Sequence, residues 1–351
     1  MLHSFLYTAN PARIVFGPGC LSEIADEVRH LGCSRALVLS TPSRREDAER
    51  LNHQLGGLGA GVFSEAAMHT PVEVTERAME AYAQAGADCV VALGGGSTIG
   101  LGKAIAYRNE APQLVVATTY SGSEVTPILG QTENGEKTTR KHASILPEVV
   151  FYDADLTLGL SISMSVTSGL NAMAHAVEGL YAKDRNPITD LMALEGIRAL
   201  KEALPVIVKQ PKSLEARNNA LYGSWLCGTV LGTVGMALHH KLCHTLGGSF
   251  VLPHAETHAI LLPHTAAYNA LATDALAPVA ELFGGNPGGG LYDFAKLLGA
   301  PQSLKELGFA EADLDMAADL AVQAPYWNPR PIEREAVREL LQRAWSGARP
   351  E

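Results

Sequence analysis

The residues best equipped for chemistry in this sequence are imidazoles. GMALHHKLCHTLGGSFVLPHAETHAILLPH, residues 235–264, places six histidines within thirty positions. His240 and His244 are four apart and share a helix face, with His239 turned about 100° away. His254 follows Pro253 after a glycine-containing loop and can fold back beside them. Upstream, SVTSGLNAMAHAVEG (165–179) sets Asn171 and His175 four apart, so both side chains point to one spot. An acid and a histidine at that spacing would make half of a divalent-metal site, but here the carboxylate is an amide. A single histidine on an apolar face is ordinarily a core residue. Five that can converge (175, 239, 240, 244 and 254), beside a stretch from Asn218 to His240 with no Asp, Glu, Lys or Arg, predict a site. Lys241 stands next to them, whereas His258 and His264 read as core histidines.

A second constellation is built for phosphate. CVVALGGGSTIGLGKAIA (89–106) is a buried strand, then Gly94-Gly95-Gly96-Ser97, then a helix start. Glycines let the backbone approach a pyrophosphate, and the helix N-terminus offers N–H groups and a favourable dipole. The spacing is neither GxGxxG nor a Walker A loop, so the turn alone is weak evidence. The next strand, LVVATTYSGSEVTP (114–127), ends in a second polar loop whose Thr118, Thr119 and Ser123 can meet a dinucleotide beyond the sheet. Ser40 and Thr41 end an earlier strand where a ribose-binding acid would otherwise stand, with Arg44 and Arg45 just beyond. NADH and NADPH both remain open.

These residues need two kinds of scaffold. ALVLS, CVVAL, LVVAT and VVFYD are uninterrupted apolar runs, as parallel strands buried on both faces require. SRREDAERLNHQL (43–55) and PVEVTERAMEAYAQAG (71–86) alternate with them at helical spacing. After residue 160 strand-like runs give way to helical windows. The expected organisation is an α/β dinucleotide-binding domain with a parallel, Rossmann-like sheet over 1–160, then an all-α substrate domain over 161–351. GGNPGGG (284–290) reads as a loop inside the second domain. The uncharged stretch 218–240 is long enough for a membrane span, but its four glycines and closing His239-His240 favour a buried, broken helix.

Bulk composition narrows the function classes. The net charge of −10 over 351 residues argues against nucleic acid or an acidic membrane as partner. Five cysteines with no CxxC, lying mostly in apolar segments, point to a reducing compartment. No basic-then-apolar export signal opens the chain, so a cytoplasmic location is expected.

In order along the chain, GGGS, TTYSGSE, DADLT, the His175 helix and the H-x3-H…PH pattern over 240–254 resemble the iron-containing (group III) alcohol dehydrogenase family. The resemblance covers nearly the whole chain. It implies a dehydroquinate synthase-like architecture of α/β and helical domains and a homodimer. It also implies a divalent metal at the positions of Asn171, His175, His240 and His254, with His244 nearby. Two departures stand out: Asn171 for the family's acidic ligand, and Gly100 where an Asp is frequent. SVTSGLNAMAHAVE (165–178) and APYWNPRPIE (324–333) resemble a metal-independent branch that reduces maleylacetate, a small dianion, to 3-oxoadipate with NADH or NADPH in aromatic-compound degradation. Competing readings are a metal-dependent alcohol or glycerol dehydrogenase, a dehydroquinate synthase-like lyase, and a non-catalytic nucleotide-binding module.

Overall fold

In the computed structural model, the apolar runs of the first half become strands with no exposed face. The structure describes residues 4–10, 12–133, 136–323 and 326–351. Ala324 and Pro325, which begin the APYWNPRPIE motif, lie outside them. The strands are β1 (Arg13–Phe16), β2 (Ala36–Leu39), β3 (Gly59–Phe63), β4 (Cys89–Gly94), β5 (Gln113–Ala117), a hairpin of β6 (Ile128–Glu133) and β7 (Glu136–Lys141), and β8 (Val149–Tyr152). Every residue of β2, β4, β5 and β8 is buried, which is why their sequences show no alternation. β1 and β3 are half-exposed edge strands with glycine or charge among their residues, so neither gives a clear strand signal.

The sheet order is β1-β8-β5-β4-β2-β3, parallel throughout. The chain leaves β2 outward to β3, then returns to β4 on the other side of β2. That reversal is a topological switch point, where open α/β sheets bind ligands at the carboxyl ends of their strands. Ser40 and Thr41 follow one of these two strands, and Gly95 to Ser97 the other. Helices α1 (Ile24–His30), α2 (Arg45–Gln54), α3 (Val72–Gln84) and α4 (Gly96–Asn109) accompany the sheet.

Residues Ala9–Leu160 form one compact unit, and Ser161–Glu351 with the short N-terminal stretch up to Thr8 form another. The second is helical: α5 (Ile162–Gly179), α6 (Pro187–Lys209), α7 (Leu214–Thr233), α8 (Leu238–Ser249), α9 (His254–Ala270), α10 (Ala277–Leu282), α11 (Pro287–Leu297), α12 (Leu314–Val322) and α13 (Arg334–Ser346). α5 is buried from Ser165 to Gly179. Its glycines admit neighbours: a Cβ at Gly179 would lie 2.2 Å from Val230 and one at Gly169 2.8 Å from Leu204. The uncharged stretch is α7 and the first turn of α8, two helices meeting at 95°, and no single described helix is long and apolar enough to cross a membrane.

One expectation is corrected. GGNPGGG is not a loop throughout, because Asn286 caps and Pro287 opens α11. Its glycines are there for packing: a Cβ at Gly288 would lie 2.5 Å from Ala267 on α9, and one at Gly290 2.2 Å from the Phe283 carbonyl.

Candidate active site

In the α/β unit, β4 ends at Gly94 and α4 starts two residues later, without a side-chain cap. The first N–H groups of an α-helix have no partner within it, so this turn presents amides to an anion. Gly95 and Ser97 are half-exposed and Gly96 is exposed. The second polar loop abuts it: Thr118 N–H donates to the Gly94 carbonyl at 3.1 Å, and a Cβ at Gly95 would lie 2.8 Å from Thr119 Oγ1. A side chain at 95 would collide with Thr119, so glycine is what lets the two polar loops pack together. Ser40 is fully buried, its hydroxyl without a partner among the described residues. Arg44 and Arg45 pair with Asp47 and Glu49 along α2. Gly100 has a local cause. A Cβ there would lie 2.3 Å from Thr70 Oγ1, with Thr70 held at φ 48°.

In the helical unit, α5, α8 and α9 bring the imidazoles together. His175 Nδ1 lies 2.8 Å from His240 Nε2, and the other nitrogen of His240 is bonded to the Glu178 carboxylate. Glu178, fully buried one turn after His175, also accepts the backbone N–H of His239 (2.8 Å) and His240 (3.2 Å). It therefore caps α8, whose own N-cap is an alanine, and its charge sits at the positive end of the helix dipole. The carboxylate can only accept, so His240 donates to it from Nδ1, and its Nε2 shares the remaining hydrogen bond with His175 Nδ1.

His239 is fixed differently. Its Nδ1 is 3.0 Å from Thr265 Oγ1, whose hydroxyl donates to the Leu261 or Leu262 carbonyl. His239 therefore donates from Nδ1 and accepts at Nε2 from His258 Nδ1, 2.9 Å away. Burial, reinforced by the neighbouring imidazoles, holds both His239 and His258 well below the usual histidine pKa, so they are neutral. His254 packs its ring 4.4 Å from His258, and His244 lies 6.2 Å from His240 on the exposed side of α8. The half-buried Lys241 holds its ammonium 5.9 Å from the Tyr326 ring.

Two functional-looking residues escaped sequence reading. His258 is no isolated core residue: its ring contacts those of His175, His239, His240 and His254, and its Nε2 is buried with no hydrogen-bond partner among the described residues. Its i,i+4 spacing from His254 was the available signal. Glu178 was legible only as the next turn of the Asn171–His175 helix. His264 stays apart from the cluster, as expected, and burial lowers its pKa to about 4. The Trp327–Arg330 segment is tied down, Asn328 exchanging amide bonds with Asn269 and Arg330 lying 4.0 Å over the Tyr268 ring.

His175, His240 and His258 each offer a nitrogen within 4.8 Å of the others, a spacing that a divalent ion fits. The chemistry of the donor set fits less well. Asn171, where an acidic ligand is expected, is 3% exposed and its Oδ1 has no hydrogen-bond partner among the described residues. Neutral imidazoles and an amide oxygen bring no negative charge to offset a buried dication.

Two family profiles match the chain: iron-containing alcohol dehydrogenase over residues 11–154, and the C-terminal region of the Fe-containing alcohol dehydrogenase family over 165–345. The chain is 67% identical to a maleylacetate reductase of Rhizobium sp. strain MTP-10005, covering all of both chains. It is 53% identical to one from Burkholderia cepacia, covering 99% of this chain and all of the other. A crystal structure of the maleylacetate reductase from Agrobacterium tumefaciens superposes with a TM-score of 0.97 at 66% identity, over 99% of this chain and all of that one.

Proposed function

The chain belongs to the iron-containing alcohol dehydrogenase family, and within it we propose that it reduces the carbon–carbon double bond of maleylacetate to 3-oxoadipate with NADH or NADPH, without a metal. Full-length similarity to maleylacetate reductases carries the substrate. The amide at Asn171, an uncharged group where the family's acidic ligand is expected, supports metal independence.

Bound at the Gly94–Ser97 turn, Ser40, Thr41, Thr118, Thr119 and Ser123, the reduced nicotinamide would supply a hydride. The hydride adds to the alkene carbon β to the ketone, the π electrons move onto the ketone oxygen, and a proton is added at the α carbon. An alkoxide product would call for a Lewis acid. An enolate spreads its charge and can be held by hydrogen-bond donors, with a general acid completing the reaction. His175, His240, His244 and His254 hold the carboxylates and the enolate, and one of them gives the proton. Asn171 orients substrate, and His239 and Lys241 support the pocket. An amide at 171 also removes a negative charge that would repel a dianion.

A homodimer in the cytoplasm completes the proposal; the five buried free cysteines accord with a reducing compartment.

NADH or NADPH oxidation with maleylacetate, before and after exhaustive chelation, tests the function directly. Activity that survives chelation supports it. The His175–His240–His258 spacing keeps one rival, a metal-dependent dehydrogenase, which a tightly bound ion and chelation-sensitive turnover would reveal. Alanine at His175, His240 and His254 addresses the residues, and turnover within about threefold of wild type for all three would reject their assignment.

A further inference from the structure

We propose that Lys103 is a positioning residue for the cofactor, its buried ammonium setting the spacing between the two loops of the nucleotide crevice. The inference rests on the NAD(P)H reading above.

Lys103 lies two turns into α4, the helix that begins at the glycine turn, and is 2% exposed. Its ammonium donates to the Ser123 carbonyl, the Thr126 carbonyl (2.8 Å), Thr126 Oγ1 (2.9 Å) and the Ile128 carbonyl (3.0 Å). All four are neutral oxygens on the segment after β5. Three N–H donors serve them, so every donor is used and one is shared. A cation taken out of water in this way is costly unless it is fully hydrogen-bonded, and here it is.

The segment it grips has little regular secondary structure. Between β5 and β6 there is only the short turn Ser123–Val125, entered through Gly122 at φ 76°. Thr118, Thr119 and Ser123, the cofactor-facing residues of that loop, stand at or before the gripped carbonyls. One end of the lysine belongs to the glycine-turn helix and the other to the second loop. A polar loop fastened to the neighbouring loop's helix loses the freedom that would otherwise be lost on binding a dinucleotide. Behind it, Glu124 is buried and accepts the Tyr152 hydroxyl at 2.8 Å, anchoring the same segment to β8.

The test compares wild type, Lys103→Met and Lys103→Ala, reading cofactor affinity by NADH and NADPH fluorescence. Wild type is titrated first; if it takes up neither nucleotide, the cofactor reading falls and this inference with it. With wild-type binding in hand, Lys103→Met should raise the cofactor Kd and KM at least about tenfold while kcat at saturation stays within about threefold, a split that general damage to the fold would not give. Affinity within about twofold of wild type would overturn the proposal. Lys103→Ala leaves an oxygen-lined hole for a small cation, so added methylammonium or potassium should restore its affinity and leave wild type unmoved. Lack of rescue counts against the proposal. If neither variant folds, Thr126→Val, which removes one acceptor, should still weaken cofactor binding severalfold, and an unchanged Kd would overturn it.

Discussion

His175 Nδ1 and His240 Nε2 lie 2.8 Å apart, joining helices whose residues are 65 positions apart in the chain. Glu178 holds the other nitrogen of His240 and so fixes the orientation of its ring. The three side chains form a line from a buried carboxylate through two imidazoles. Asn171 stands one turn before His175, so α5 supplies the amide, one imidazole and the carboxylate from successive turns of a single face.

Glu178→Gln keeps the shape and removes the charge. The amide can donate as well as accept, so His240 loses its fixed tautomer and one cap of α8 weakens. Turnover should fall about 10–100-fold, as when the partner that orients an active-site histidine is lost. Stability should fall by about 1–3 kcal/mol for the disturbed buried bonds. Steady-state kinetics with urea unfolding separates the two, and wild-type turnover in this variant would remove Glu178 from the site.

Asn171→Asp restores the acidic residue expected at the head of the histidine set. The prediction is tighter binding of Zn²⁺ or Fe²⁺, measured by calorimetry on chelated protein, together with weaker turnover of the dianionic substrate. An affinity gain of at least about tenfold is expected from a first-shell carboxylate where second-shell changes already matter at that level. If metal affinity and turnover both stayed at wild-type values, the four-residue spacing would carry no chemical meaning.

The buried centre of the fold was legible because its strands are apolar on both sides and its helices are periodic. What escaped were elements stabilised by context. β1 and β3 are short edge strands whose pairing partner decides them, and α11 is glycine-rich because α9, Arg349 and Phe283 each lie too close to one of its glycines for a side chain. In the site, spacing along one helix found Asn171 with His175 and His240 with His244. The identity of the central imidazole was not visible, because His258 reaches the cluster only through the packing of α9. Glu178 reads in sequence as one acid on an apolar helix, and only the start of α8 above it explains its burial.

Gly100→Ala is expected to destabilise the α/β unit. The new Cβ would lie 2.3 Å from Thr70 Oγ1, and Thr70 already sits in the left-handed region with its carbonyl bonded to Thr132 N–H at 3.3 Å. Neither neighbour can give freely, so a cost of about 1–3 kcal/mol is predicted. Thr70→Ala should recover most of that cost in the double variant, a coupling that a double-mutant cycle in urea measures. Purely additive effects would mean the two positions do not touch.

The pH dependence of stability gives a separate test of the buried lysine. Burial lowers the Lys103 pKa to about 7, with Glu124 pulling the other way. The unfolded chain keeps it near 10.4. Between those values the unfolded state binds more protons, so stability gains with rising pH. Below pH 7 both states carry the charge and the cost of burying it is felt in full. Wild type should therefore gain on Lys103→Met by about 1.4 kcal/mol per pH unit across the middle of that window. Cofactor affinity should move the opposite way, because a neutral amine has two N–H groups for four oxygens. Urea unfolding and NADH titration of both proteins at pH 7 and 9 check the pair. A stability difference that stays flat while affinity weakens would place the titration on another group.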